Sequence, residues 1–140
     1  MTLIIDAAPL AALADTADPM RAPVRAVLAA EEGPLVIPAP VTAEVDYLLG
    51  VRHGALARRR LLADLAAGRF TVAALERTDY QMVIDLETRY ADLGLGLADC
   101  ALVVIAHRYQ TDRILSFDER HLRAVRSLSG PAFTLLPFDT

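Results

Sequence analysis

The chain alternates between short apolar runs and longer segments in which apolar residues recur every three or four positions. Short, mostly apolar runs bounded by proline, glycine or charged residues are typical of buried strands. Such runs predict five strands, at residues 3–5, 35–37, 70–72, 114–117 and 133–136. The spacing of three and four predicts helices between them. This order favours an α/β fold, a three-layer α/β/α sandwich with a mostly parallel central sheet.

The predicted helices begin and end at residues that commonly cap or interrupt helices. They are a helix after the cap Asp18 that stops near Gly33, one opened by Pro40, one between Gly54 and Gly68, one from the cap Thr78 towards Tyr90, and a short one at 120–125. Residues 98–106 are apolar except for Asp99, which suits either a buried helix or a buried strand. We predict a helix there because two parallel strands need a crossover between them.

The length and composition limit the kinds of protein that this chain can be. With 140 residues the chain fits one domain, residues 1–140. Its hydrophobic share of 54% indicates a folded protein, and reflects either an alanine-rich composition or apolar surface reserved for a partner. All 14 basic residues are arginine, which excludes phosphate-binding loops that depend on lysine. The net charge of −4 argues against a wide nucleic-acid-binding surface.

Three further features bear on location. No apolar run approaches the roughly 18 residues that span a bilayer. The first residues reach Asp6 without the basic region of a signal peptide. The single cysteine, Cys100, excludes an internal disulfide. We therefore expect a cytoplasmic protein without a membrane segment.

Acidic residues stand where the local pattern calls for apolar ones. Asp6 and Asp118 each follow a predicted strand directly, which places them at the carboxyl edge of the sheet, where open α/β sheets bind ligands. Glu44 falls on the flank of an apolar helical stripe, whereas Asp46 is predicted to face solvent. Asp99 begins the most apolar segment of the chain.

A cluster of these acids would repel strongly. Two like charges about 4 Å apart cost roughly 4 kcal/mol at an effective dielectric constant of 20. The cluster would therefore persist only with a compensating cation or with some acids protonated. Oxygen ligands favour Mg²⁺ or Mn²⁺. The alternatives are that Asp6 is a turn residue, that Asp99 and Asp118 only cap helices, and that Glu44 pairs with a core arginine.

Four short motifs carry a resemblance to a known family. They are Leu3-Ile4-Ile5-Asp6, Thr42-Ala43-Glu44-Val45, Leu97-Ala98-Asp99-Cys100-Ala101 and Ser116-Phe117-Asp118. In this order and at these spacings, the chain resembles PIN domains, and among them the VapC toxins, over essentially its whole length. The chain departs from the family pattern in two places. Ala7-Ala8 replaces a common serine, threonine or asparagine, and His121 stands where an aromatic residue usually follows the last acid.

The resemblance implies a catalytic set and a cofactor. The family's acidic site maps onto Asp6, Glu44, Asp99 and Asp118, of which Asp6 and Asp99 are expected to bind the metal directly. Ser116 matches a hydroxyl that supports the acids. Together with the acid chemistry, the resemblance predicts one or two Mg²⁺ or Mn²⁺ ions that assist hydrolysis of RNA phosphodiesters, leaving a 5′-phosphate and a 3′-hydroxyl.

The resemblance also implies partners, namely structured RNA, a small VapB-like antitoxin protein and a second copy in a homodimer. RNA contacts are expected from arginines on the predicted helices, or those arginines are simply solvated; the candidates are Arg52, Arg58, Arg59 and Arg120. Two alternative functions stay open. One is an inactive PIN-like binding module, and the other is a Mg²⁺-dependent phosphodiesterase or DNA nuclease with the same acidic chemistry.

Overall fold

The computed structural model describes residues 1–139. Its elements are β1 (Leu3–Ile5), α1 (Ala7–Leu13), α2 (Arg21–Ala30), β2 (Leu35–Pro38), α3 (Ala39–His53), α4 (Ala55–Ala66), β3 (Thr71–Ala73), α5 (Arg77–Arg89), a 3₁₀ turn (Ala91–Leu93), α6 (Leu97–Arg108), β4 (Arg113–Leu115), α7 (Glu119–Ala124) and β5 (Thr134–Leu136). The predicted α/β/α sandwich is confirmed.

The five strands form one parallel sheet in the order β3-β2-β1-β4-β5. The first strand therefore lies in the middle, between β2 and β4. Because all five strands are parallel, their carboxyl ends meet at one edge of the sheet. Residues that follow β1 and β4 are consequently neighbours although more than 100 positions separate them in the sequence.

The core is built on the central strands and on α6. Leu3, Ile4 and Ile5 are completely buried, and α6 is buried continuously from Cys100 to Ala106. The helix predicted for residues 98–106 is thus confirmed, and its uniform apolarity is explained by its packing against β1, β2 and β4. Burying such a segment from every side is what its composition requires.

The structure corrects several boundaries. Helix α1 was not predicted, because its sequence is alanine-rich and carries no polar face. Asp18 does not cap α2, which begins at Arg21; its carboxylate instead accepts a hydrogen bond from the backbone of Met20 within a turn. Thr78 does not cap α5, since the helix begins at Arg77 after Glu76. Strand β3 lies one residue later than predicted, β5 begins one residue later but ends at Leu136 as predicted, and β4 runs from Arg113 to Leu115.

Candidate functional site

Asp6 is the innermost acid of the carboxyl edge. It follows β1, and its Oδ1 accepts a hydrogen bond of 2.8 Å from the Ala7 backbone at the start of α1. Its Oδ2 accepts a 2.7 Å bond from the Ser116 hydroxyl. Burial raises the pKa of Asp6, and the charges of Asp99 and Asp118 add to the rise, although the two hydrogen bonds oppose it. Asp6 is therefore an acid whose charge the surroundings disfavour.

Ser116 connects two of the predicted acids. It is completely buried and directly follows β4, the strand that pairs with β1. Its hydroxyl donates to Asp6 and accepts a 3.0 Å hydrogen bond from the backbone N–H of Asp118. The hydroxyl thus links the Asp6 carboxylate to the backbone of Asp118.

Asp99 and Asp118 come together at the same edge with His121. One ligand atom from each of these three side chains lies within 4.8 Å of the others. Both acids also cap helices, as the alternative interpretation had it. Asp99 accepts a 3.1 Å bond from the Gly96 backbone before α6, and Asp118 accepts a 3.1 Å bond from the His121 backbone in α7. Capping and membership of the cluster are therefore compatible.

Glu44 lies at the outer margin of the cluster. The sequence pattern had placed it away from solvent and Asp46 towards solvent, and this part of the prediction is wrong. Glu44 is exposed, whereas Asp46 is half-buried because Arg58 reaches it from α4 with an N–O distance of 2.9 Å. Even so, partial burial and the charges of Asp6 and Asp99 raise the pKa of Glu44. The fourth acid therefore joins the cluster electrostatically.

His121 was not among the predicted site residues. Its Nδ1 lies 2.7 Å from Asp118 Oδ2, and its Nε2 lies 2.9 Å from the backbone oxygen of Leu93. The hydrogen bond with Asp118 raises the pKa of His121, although partial burial opposes the rise. The available sequence signal was the spacing of three from Asp118, which brings two side chains together at the start of a helix.

The predicted arginines fall into two groups. Arg58 is bound by Asp46 through two hydrogen bonds, so it is held against α3. Arg52, Arg59 and Arg120 are exposed and form no ion pair within residues 1–139. Arg52 lines a groove of about 390 Å³, whose other lining residues are Ala8, Ala11, Ala12, Asp15, Asp18, His53 and Phe117.

The donor chemistry fits a hard divalent cation. Asp6, Glu44 and Asp99 offer carboxylate oxygens, the ligands that Mg²⁺ and Mn²⁺ prefer. Burial raises the pKa of Asp6 and Glu44, and neighbouring acids add to the rise, so a bound cation would stabilise their charged forms.

Comparison with known proteins identifies the family. The model of the PIN domain matches residues 3–127, a span that contains all four acids. The chain belongs to the PIN-domain family.

Two individual proteins resemble this chain, one in sequence and one in fold. The PIN domain here is 37% identical over 135 residues to Ribonuclease VapC26 of Mycobacterium tuberculosis, covering 96% of this chain and all of that protein. Its fold matches the crystal structure of the sarcin–ricin loop-cleaving toxin VapC20 of the same organism, with a TM-score of 0.76 and 16% identity over 83% of this chain and 89% of that one. Within residues 1–139, no helix is both long and apolar enough to cross a membrane.

Proposed function

We propose that this PIN domain is a metal-dependent endoribonuclease and the toxin of a VapBC-like toxin–antitoxin pair. The observation that carries the proposal is an acidic cluster in which ligand atoms of Asp99 and Asp118 lie within 4.8 Å of each other. The charges of these two acids also act on Asp6, and those of Asp6 and Asp99 act on Glu44. Support for RNA as the substrate comes from the 37% identity to a protein named as a ribonuclease.

Asp6 and Asp99 are the proposed direct ligands of a Mg²⁺ or Mn²⁺ ion. A bound divalent cation supplies Lewis-acid chemistry towards a phosphodiester and lowers the pKa of a coordinated water. The chain's own contribution is to fix the ligands before the ion arrives. Ser116 holds Asp6, and the backbone of Gly96 holds Asp99, so neither carboxylate needs to be ordered by the metal.

Glu44 is the acid best suited to take a proton. It is exposed at the margin of the site, and its carboxylate makes no hydrogen bond with another part of the described chain. Its pKa is raised towards neutral pH, which suits a group that accepts a proton during the reaction. We assign it the transfer of a proton from the attacking water, while Asp118 acts through ordered water.

The partners follow from the same assignment. The uncommitted arginines, Arg52, Arg59 and Arg120, are the proposed contacts to RNA phosphates, because Arg58 is already bound to Asp46. A small VapB-like antitoxin would restrain the enzyme in the cytoplasm, and the toxin would act as a homodimer.

Cleavage of a labelled RNA by the purified protein tests the activity. We expect cleavage with Mg²⁺ or Mn²⁺, none in EDTA, and products that end in a 5′-phosphate and a 3′-hydroxyl. The matched control is Asp85→Asn, since Asp85 is exposed on α5, outside the acidic cluster, and accepts a hydrogen bond from Gln81. Cleavage that survives chelation, or a 2′,3′-cyclic phosphate product, would contradict the mechanism. Preferential cleavage of single-stranded DNA would favour the nuclease alternative.

Expression in a bacterial host tests the toxin assignment. The wild-type protein should slow growth, and Asp6→Asn should relieve the effect at equal expression. Co-expression of a cognate antitoxin should do the same without a mutation. Normal growth with well-expressed wild-type protein would instead favour an inactive binding module.

A further inference from the structure

His121 makes contacts that the acidic mechanism does not use. Its side chain is 21% exposed and bridges two segments of the chain. Nδ1 faces Asp118 Oδ2 at 2.7 Å, and Nε2 faces the backbone oxygen of Leu93 at 2.9 Å. The backbone N–H of His121 also donates to Asp118 Oδ1 at 3.1 Å. One residue therefore contacts both oxygens of the Asp118 carboxylate.

Both atoms that face the imidazole ring accept hydrogen bonds. A backbone carbonyl cannot donate, and an ionised carboxylate accepts only. The state that satisfies both contacts has a proton on each ring nitrogen, so that the ring donates in both directions. In this state His121 is a cation inside a cluster of acids, within 4.8 Å of Asp99 as well as Asp118.

The contact with Leu93 connects the two halves of the site. Leu93 ends the 3₁₀ turn that leads through Gly94 and Gly96 into α6. Asp99 is the third residue of that helix and holds the Gly96 backbone. The ring of His121 thus ties the segment that precedes Asp99 to the segment that carries Asp118.

We propose that His121 is a positioning residue, which clamps the Asp118 carboxylate to the turn at Leu93 and thereby sets its place relative to Asp99. The proposal rests on the ribonuclease function proposed above. It gives His121 no direct part in the chemistry, because the residue acts through Asp118. The histidine is also a departure from the aromatic residue that the family resemblance leads one to expect at this position.

Two substitutions separate the halves of the clamp. His121→Asn places an amide N–H near the position of Nδ1 and can keep the bond to Asp118. His121→Gln places one near Nε2 and can keep only the bond to Leu93. We expect His121→Gln to lower kcat about tenfold, the loss of one hydrogen bond to a charged group, with KM for RNA within twofold of wild type. We expect His121→Asn to lower kcat to a similar degree, because losing the bond to Leu93 also breaks the clamp.

A double-mutant cycle shows whether His121 acts through Asp118. In the Asp118→Asn background, His121→Gln should cause no further loss of kcat, since coupled neighbours are not additive. His107→Gln is the matched control, because His107 is exposed near the other end of α6. Additive losses, or a loss confined to KM, would overturn the proposal. Melting temperatures within a few degrees of wild type establish that the variants fold.

Nitrogen NMR of the His121 ring, recorded in EDTA, tests the clamp without an activity assay. The wild-type spectrum at neutral pH should show both His121 ring nitrogens protonated, and Asp118→Asn should change this pattern. A neutral ring in the wild-type protein would overturn the clamp. If the wild-type protein cleaved no RNA at all, the proposed function would fail, while the spectrum would still decide the clamp by itself.

Discussion

The two ends of the central strands treat buried acids in opposite ways. At the amino end, Glu31 lies just before β2 and pairs with Arg113, the first residue of β4; the Glu31 side chain is only 4% exposed. At the carboxyl end, Asp6 follows β1 and has as its charged neighbours Asp99 and Asp118. The same sheet thus holds an acid with a cation at one end and an acid among acids at the other.

The pKa directions record this difference. Burial alone would raise the pKa of Glu31, but the hydrogen bonds and charge of Arg113, with the Gly33 backbone, lower it overall. Burial raises the pKa of Asp6, and its acidic neighbours raise it further. Glu31 therefore contributes to the stability of the fold, whereas the ionised form of Asp6 detracts from it. An edge that costs stability in the metal-free protein is typical of a functional site.

The largest effect should come from Asp99→Asn. Asparagine keeps the shape and the bond to the Gly96 backbone but removes one charge from the cluster. We expect RNA cleavage to fall at least about a hundredfold, a loss on the scale of other electrostatic contributions to catalysis. In EDTA the variant should nevertheless melt at a higher temperature than wild type. Activity assays and thermal melts of both proteins measure the two effects.

The Mg²⁺ response of the same proteins gives the control. At 100 times its Kd, Mg²⁺ should stabilise the wild-type protein by about 2.7 kcal/mol. Asp99→Asn should lose most of this gain. A variant that stays active and responds to Mg²⁺ like wild type would show that Asp99 is only a helix cap.

The opposite behaviour is expected at the amino end. Arg113→Met would leave the Glu31 carboxylate with only the Gly33 backbone as a partner, so unfolding by urea should show a loss clearly greater than the roughly 1 kcal/mol of an exposed pair. Specific activity at 25 °C should stay near that of wild type. Arg69→Met is the control, because the Arg69–Asp64 pair is exposed and should be worth less than about 1 kcal/mol. Equal losses in the two variants would refute the contrast between buried and exposed pairs.

The pH dependence of stability in EDTA should separate the two ends. The pKa of Glu31 in the folded protein lies below its ordinary 4.5, so its contribution is present above that pH and is lost as the pH falls. The pKa of Asp6 lies above its ordinary 3.8, so its cost is present at neutral pH and is relieved as the pH falls through the raised value.

Urea unfolding of two variants between pH 3 and 8 measures these trends. The stability gained by Asp6→Asn should shrink as the pH falls from neutral. The stability lost by Glu31→Gln should be constant above about pH 5 and shrink below it. If the Asp6→Asn difference stays constant between pH 7 and pH 5, or the Glu31→Gln difference changes there, the contrast is wrong. Glu44, Asp99 and Asp118 contribute to the Asp6 trend and are unchanged in both variants.

The smallest effects concern arginines with and without an acid partner. Arg59→Ala should weaken RNA binding about threefold and reduce the salt dependence by about one ion, since Arg59 is exposed and unpaired within residues 1–139. Arg58→Ala should instead cost at most about 1 kcal/mol of stability through the lost bond to Asp46, with little change in RNA affinity. RNA binding measured at several salt concentrations checks this. A larger loss of affinity for Arg58→Ala than for Arg59→Ala would mean that the Arg58–Asp46 pair opens to bind RNA, contrary to the prediction.

Local patterns were sufficient for much of the fold. Short apolar runs identified the five strands, and the alternation of strands with helices led to the parallel sandwich. Helix α1 escaped because alanines on every face leave no periodic signal, so that only its packing reveals it. The surroundings of Glu44 and Asp46 were predicted wrongly. A helical wheel describes a single helix, whereas Arg58, which contacts Asp46, lies on a different one.

The sequence by itself determined that acidic residues follow buried strands, because an acidic residue after an apolar run can be recognised without the three-dimensional structure. Only the tertiary structure decided which groups meet. The strand order places β1 beside β4, which brings Asp6 to Ser116, and the turn at Leu93 gives His121 its second partner. Contacts between residues 28 or 110 positions apart depend on the path of the backbone, and no local pattern encodes that path.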